Sequence, residues 1–529
     1  NGKHEQGLML LNQAESALQQ AGEEAQHAIT LTRRATAYRL LGNYHAADED
    51  AEQAFAQLDE LMRGLAPTSG PQDTDSQDAD PQDAHQSDAH QITDALAAAC
   101  AARGLSACQR GDLDTGIHWL IQARDHYTAI ADLQNAAGAT NDIALAHLHA
   151  GKYVLADAEF RRTLTFWQEL NNVFRQAHTL NNLGFLCHQQ GAYVQAHEYL
   201  TEAYRLADRC GYRRILAFGL VSLGDLYVDL GTLEPARETY AAARKIVAEI
   251  DERFLAIYLE LAEANLACFT SDWLQAYNHL DRASQLVLDR HSRYEWGLYR
   301  LAMGQFYLSQ DKSERAISLL SDAVAAFEEG GQRKDAAQTR LVLAAACYQS
   351  DDVDAAYLHL AQCAKLMDSL EGDTALLVSG QRILPHLEGL AAQLQAELPK
   401  LLDLPFRSDS QDDLDAPAAS SAQRAEAARF VTSLLKKIAL FSTKIATVRQ
   451  QIFPRDTQAT SEPVAQPLVE EPTDVLAAGK SLIIRTLGRT EIINEGQPVR
   501  SGDWQAQSAR DLFLCLLAHA DGLTKEEIG

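Results

Sequence analysis

Small residues recur in this chain at intervals of forty. From Gly184, steps of forty reach Gly224, Ala264, Gly304 and Ala344 in one direction and Ala144 and Gly104 in the other. A second series runs Gly116, Ala156, Ala196, Ala236, Ala276, Ala316 and Ala356, and a third runs Ala123, Thr163, Ala203, Ala243, Ala283, Ala323 and Cys363. Between the second and third sits a large side chain each time: Leu120, Phe160, Leu200, Tyr240, Leu280, Leu320, Leu360. Seven units in one register, without a gap, require a stack of like supersecondary units, each burying its apolar face only against its neighbours. In "LNNLGFLCHQQGAYVQAHEYLTEAYRLA", Leu180 to Ala207, the apolar spacing is that of two amphipathic helices meeting at Gly191. Small side chains in such a hairpin let a crossing helix approach closely. The expected fold is all-α, an αα solenoid of about forty residues per repeat.

Ala35, Ala47 and Ala54 make an eighth unit, and Gly7 with Ala14 reads as the second helix of a ninth, so the chain is expected to begin within a repeat. It is also expected to stop within an element, because "GLTKEEIG" opens a helix with Thr524 as cap and Glu527 three residues on, and a fragment of a longer protein is the reading. The pattern of small, small, Leu or aromatic, small resembles the tetratricopeptide repeat, in a forty-residue form rather than the usual thirty-four, over roughly Leu8 to Leu370. Gly116 in place of Ala, and Thr163 and Cys363 at the third small position, depart from it.

The organisation that follows is 1–65 first helical repeats, 66–91 a disordered acidic insert, 92–370 seven repeats and 371–406 a helical end cap. An acidic linker (407–421), an amphipathic basic helix (422–453), a second linker (454–479) and a final segment (480–529) complete it. The insert carries six aspartates, no Lys or Arg and almost no apolar residue between Pro67 and Gln91. In the basic helix, Leu434, Ile438, Phe441, Ile445, Val448 and Ile452 form a heptad seam, with Lys436, Lys437, Lys444 and Arg449 among the cations beside it. Such a helix either docks on the acidic array or pairs with a second copy of itself.

The final segment alternates as strands do, turns at "NEGQ" and then enters a helical pattern. Leu487, Gly488, Gly496, Pro498, Val499, Trp504, Ala509, Arg510, Leu512, Leu516, Leu517 and "GLTKEEI" make it resemble the start of the α+β winged-helix domain of bacterial transcriptional activators of the response-regulator type. Ser508 departs from the basic residue often found there, and the recognition helix of that domain is expected beyond Gly529. A repeat array followed by a winged helix resembles the C-terminal half of signal-transduction ATPases with numerous domains (STAND), of the maltose-regulon-activator type. That resemblance implies a sensor array that controls an upstream nucleotide-binding module and an appended DNA-binding domain. The alternative is a protein-interaction scaffold holding a partner peptide in its groove.

The balance of 46 basic against 73 acidic residues, −27, disfavours the array as a nucleic-acid surface and favours neutral or basic partners. No secretory signal and no apolar run near the roughly eighteen residues of a membrane span is present, which is the pattern of a soluble, cytoplasmic protein without membrane contact. The eight cysteines include no CxxC pair, so packing rather than metal or disulfide is expected of them. "AAGKS" at 477–481 lacks the first glycine of a phosphate loop, and neither HExxH nor GxSxG occurs. No catalytic constellation, cofactor site or metal site is expected. The candidate binding surface is the concave face, where the tetratricopeptide resemblance places Asn141, His149, His178, Asn181, Phe185, His188, Gln189, Asp225, Asp229, Tyr258, Asn265 and Phe269. Amides, imidazoles, carboxylates and rings suit a hydroxyl-rich small-molecule inducer or an extended peptide, and DNA is expected to bind only the full-length protein. The absence of Lys and Arg from these positions argues against gripping a carboxylate.

Overall fold

The computed structural model describes residues 2–41, 43–65, 81–250, 252–288, 292–402 and 419–454, together with the strand residues 482–485, 491–494 and 497–498. The chain divides into two compact units, Asn1–Arg455 and Asp456–Gly529.

In the first unit the repeat is a helical hairpin. A lone helix α1 (Gly2–Ala21) precedes the pairs α2 (Glu24–Leu40) with α3 (Tyr44–Leu65), and α4 (Pro81–Arg110) with α5 (Leu113–Ala129). Then follow α6 (Leu133–His149) with α7 (Tyr153–Glu169), α8 (Val173–Gln189) with α9 (Tyr193–Arg209), and α10 (Arg213–Asp229) with α11 (Leu233–Ile250). The array ends with α12 (Arg253–Phe269) and α13 (Trp273–Leu288), α14 (Arg293–Leu308) and α15 (Ser313–Glu329), and α16 (Arg333–Gln349) and α17 (Val353–Met367). Three further helices, α18 (Thr374–Arg382), α19 (Leu384–Leu402) and α20 (Ser421–Ile452), complete the unit.

The forty-residue series lies within each hairpin. The large residue of the second helix sits on the small residue of the first, sixteen positions earlier: a Cβ built on Gly104, Gly184 or Gly304 would stand 2.6–2.7 Å from the Cγ of Leu120, Leu200 or Leu320. Tyr240 fills the same place against Gly224. The flanking alanines at 156, 196, 236, 276, 316 and 356 are all fully buried. Helix ends repeat as well. A residue with positive φ closes each first helix from α4 to α16, at Gly111, Gly151, Gly191, Gly231, Ser271, Asp311 and Asp351, and others close second helices at Ala131, Asn171, Gly211 and Gly331. At Gly191 the paired bonds Gly191 N to His188 O (2.9 Å) and Ala192 N to Cys187 O (2.8 Å) form a Schellman closure. The next helix is then frequently capped by the following side chain, as Asp112, Asp132, Asn172 and Asp352 each accept from a backbone N–H three residues on.

Two expectations need correction. The stretch 66–91 was expected to be disordered throughout, yet α4 begins at Pro81. Proline is well suited to the first turn of a helix, so the helix that buries Ile92, Leu96 and Cys100 begins within this stretch. The basic helix α20, expected either to dock on the array or to pair with a second copy of itself, docks, and only the self-pairing alternative is corrected: Leu434, Ile438, Phe441, Ile445 and Val448 are buried in one core with α16, α17, α18 and α19. Lys437 Nζ lies 2.7 Å from Asp373 Oδ2 and Arg424 Nη2 2.5 Å from Asp354 Oδ1, so cations of the helix meet acids of the array and cap.

The array also returns on itself. Ser292 Oγ donates to Gln109 O (3.2 Å), Gln332 Nε2 donates to Gly111 O, Glu371 N donates to Gly151 O (3.4 Å) and Arg449 Nε donates to Leu230 O (2.7 Å). Turns after the early first helices are thus seated against late elements. Among the described residues no helix is long and apolar enough to cross a membrane. The seven cysteines described are free thiols, four of them buried.

In the second unit, β1 (Leu482–Arg485), β2 (Glu491–Asn494) and β3 (Gln497–Pro498) form an antiparallel sheet in that order, with Leu482 opposite Asn494 and Ile493 opposite Pro498. The helix expected around Ala509 and the "GLTKEEI" stretch lie outside the described residues.

Candidate concave binding face

The first helices α6, α8, α10 and α12 carry all twelve candidate residues. The structure gathers them into several separate groups. On α6 and α8, Asn141 is buried and accepts from Thr179 Oγ1 (3.2 Å), while the His149 ring stands 6.2 Å from Phe185 and 6.5 Å from Tyr294. Gln189 Oε1 accepts from Lys334 Nζ of α16 (3.2 Å). On α10, Asp225 accepts from two phenols, Tyr240 (2.6 Å) and Tyr258 (2.9 Å). One turn on, Asp229 Oδ2 meets His188 Nε2 at 2.9 Å. On α12, Asn265 Oδ1 accepts from Arg382 Nη1 (3.0 Å), whose Cζ lies 4.8 Å from the centre of the Phe269 ring. His178 is half-buried on α8.

Asn181 and Asp225 were expected to face solvent in an open groove. Asn181 is instead 6% exposed, and Asp225 is held by Tyr240 of its own hairpin and Tyr258 of the next. Lys and Arg are absent from the twelve positions themselves, yet cations reach this face from elsewhere in the chain. Lys334, Arg382 and Arg449 arrive from α16, α18 and α20, outside the positions that the repeat pattern supplies. Nothing in the repeat pattern signals them. The basic face of α20 was the one available sign.

Burial dominates the electrostatics. It pushes the Asp225 carboxyl up to about 6 against the opposing pull of Tyr240, and it pushes His149 and His178 down to about 4. Asp142, beside Asn141, is likewise raised by burial to about 6, with Arg39, Arg175 and Arg214 acting in the opposite sense. Three concave atoms have no hydrogen-bond partner among the described residues: Asn181 Oδ1, His188 Nδ1 and Arg382 Nε. Buried polar atoms are nearly always paired, so each of these atoms offers a binding partner unfilled hydrogen-bonding capacity. A different cluster, Glu260, Glu263 and His279, has ligand-type atoms within 4.8 Å of one another, but Arg244 and Arg282 occupy it. Burial opposes ionisation of Glu260, yet the bonds from His279 and Arg244 hold it at about 2, so the cluster is an ion-pair network.

Helical hairpins in register, with polar side chains along the first helices, form an αα repeat array, and part of it resembles a known repeat family. The sequence model of that family, "Tetratricopeptide repeat", matches residues 134–209. No curated protein matches the chain. Among solved structures, the Rap protein complexed with Competence and Sporulation Factor is similar at 13% identity and a TM-score of 0.46, over 65% of this chain and 98% of that one. The apo quorum sensor NprR from B. thuringiensis is similar at 16% identity and 0.43, over 69% and 98%. A STAND protein with a tetratricopeptide repeat sensor from Pyrococcus horikoshii is similar at 13% identity and 0.36, over 76% and 66%.

Proposed function

We propose that this chain is the sensing region of a transcriptional regulator, binding an inducer or a partner peptide on its concave face and passing the occupancy to an appended DNA-binding segment. One observation carries the reading. Helix α20, among the described residues the last helix before the C-terminal strands in sequence, is seated on the array's end and also reaches the turn after α10 through Arg449 and Leu230. A ligand on α8, α10 and α12 therefore acts beside the element that leads to the C-terminal segment. If it prefers one arrangement of α20, its differential affinity shifts the population, a tenfold bias needing about 1.4 kcal/mol. The start of a winged helix in 480–529 and a nucleotide-binding module upstream belong to this proposal through the family resemblance. The scaffold reading shares the same face and lacks a role for α20.

The test is a thermal-shift screen of hydroxyl-rich metabolites and short peptides against this chain. A hit is expected to lose at least about tenfold in affinity in Asn181→Ala, whose side chain has an unfilled acceptor, while helical content stays unchanged. Unchanged affinity in that variant places the site elsewhere.

A further inference from the structure

A cavity of about 270 Å³ lies between α10, α12, α18 and α20. This is just below the roughly 300–1,000 Å³ of sites for drug-sized ligands, which suits a smaller one. Asp229, Phe269, Gln381, Arg382, Ser442 and Arg449 line it, so two guanidiniums face a single carboxylate. That carboxylate is already engaged: Asp229 Oδ2 meets His188 at 2.9 Å, and Oδ1 stands 4.0 Å from Arg382 Nη2. Arg382 gives Nη1 to the neutral Asn265, rests over the Phe269 ring and has no partner for its buried Nε. Arg449 spends Nε on the Leu230 carbonyl and has no carboxylate partner among the described residues. Burial accordingly works against the charge of Arg382. Arg382 is half-buried and its buried Nε lacks an acceptor, so an anion that supplies one relieves that cost.

We infer that this cavity binds the carboxylate of a small organic anion, held between Arg382 of α18 and Arg449 of α20. Asp229 and Asp225 both act on Arg382, so the site holds no surplus of positive charge for a phosphate dianion, and a singly charged carboxylate meets the least repulsion. The planar fork of a guanidinium matches a carboxylate in shape. Val228, Val378 and Ile445 offer a short aliphatic tail an apolar wall. Bound there, the anion bridges α18 to α20 and fixes α20 on the array. The inference rests on the concave face being the sensing surface and names the chemistry it senses.

Butyrate, its neutral counterpart butyramide and inorganic phosphate are the probes, used on the whole chain with thermal shift and hydrogen exchange. Butyrate is expected to raise the melting temperature with concentration and to slow exchange around Ser442–Arg449, butyramide to do neither, and phosphate to bind more weakly than butyrate. R382Q should weaken butyrate at least about tenfold; if it does not fold, R449Q carries the same expectation. No response to butyrate, an equal response to butyramide, tighter binding of phosphate, or wild-type affinity in both variants overturns the inference. If butyrate fails while an Asn181-dependent ligand still binds, this site falls and the sensing face stands. If Asn181→Ala leaves every ligand of the screen unaffected while R382Q abolishes butyrate binding, the broader reading falls instead.

Discussion

Two surfaces of each first helix behave differently. Toward its own second helix, the same contact recurs in four units, a glycine under Leu or Tyr sixteen positions on: Gly104 and Leu120, Gly184 and Leu200, Gly224 and Tyr240, Gly304 and Leu320. Toward the concave side, no two units make the same contact. Asn141 bonds a threonine of the next unit, Asp225 bonds two tyrosines, Asp229 bonds a histidine, and Asn265 bonds an arginine from beyond the array. Repetition in this molecule serves packing, and individuality is confined to the face where helices from outside the repeat are seated.

The largest expected effect tests whether α20 belongs to the concave side. Phe441 is buried, 6.0 Å from the Tyr193 ring, and Phe441→Ala should cost about 3–5 kcal/mol of local stability, read as new protease cleavage within 421–452 at urea concentrations that leave the array folded. Retained protection of α20 in that variant would detach it from the account. On the repeated side, Gly184→Leu and Ala236→Leu should each cost roughly 1–3 kcal/mol, because the space is already filled by Leu200 and by close helix packing. The damage should fray neighbouring hairpins first, whereas uniform loss of exchange protection along the array would contradict nearest-neighbour energetics.

A pH series then separates the individual groups. Asp225 is raised from 3.8 to about 6, so its contribution to stability falls as pH rises from about 4 to 6. His149 and His178, lowered from 6.5 to about 4, act oppositely, and their contribution is lost as pH falls through that range. Asp225→Asn removes only the first effect, so its stability relative to wild type should rise between pH 4 and 7; a pH-independent difference would contradict the burial of this carboxyl. The smallest effect is expected from replacing 67–80 by a short Gly/Ser bridge, a change within about 0.5 kcal/mol, since that sequence has almost no apolar residue to bury.

The repeated side was legible in the sequence because its contact is local, within one hairpin, and recurs in one register. The helix closures were half legible: Gly111, Gly151, Gly191 and Gly231 mark them, but Ser271, Asp311 and Asp351 take the same backbone conformation without a glycine to announce it. The concave residues were found as a set, and their surroundings were not. Bonds such as Ser292 to Gln109 and Gln332 to Gly111 depend on the small rotation accumulated over several units, which no single repeat encodes. Arg382 and Arg449 follow from that same winding.

The most direct test of the central claim, that the concave face is a binding surface completed by α18 and α20, is hydrogen exchange with and without the ligand found by screening. Exchange is predicted to slow together in α8, α10, α12 and α20. Protection confined to second helices such as α9 and α11, with α20 unchanged, would contradict it.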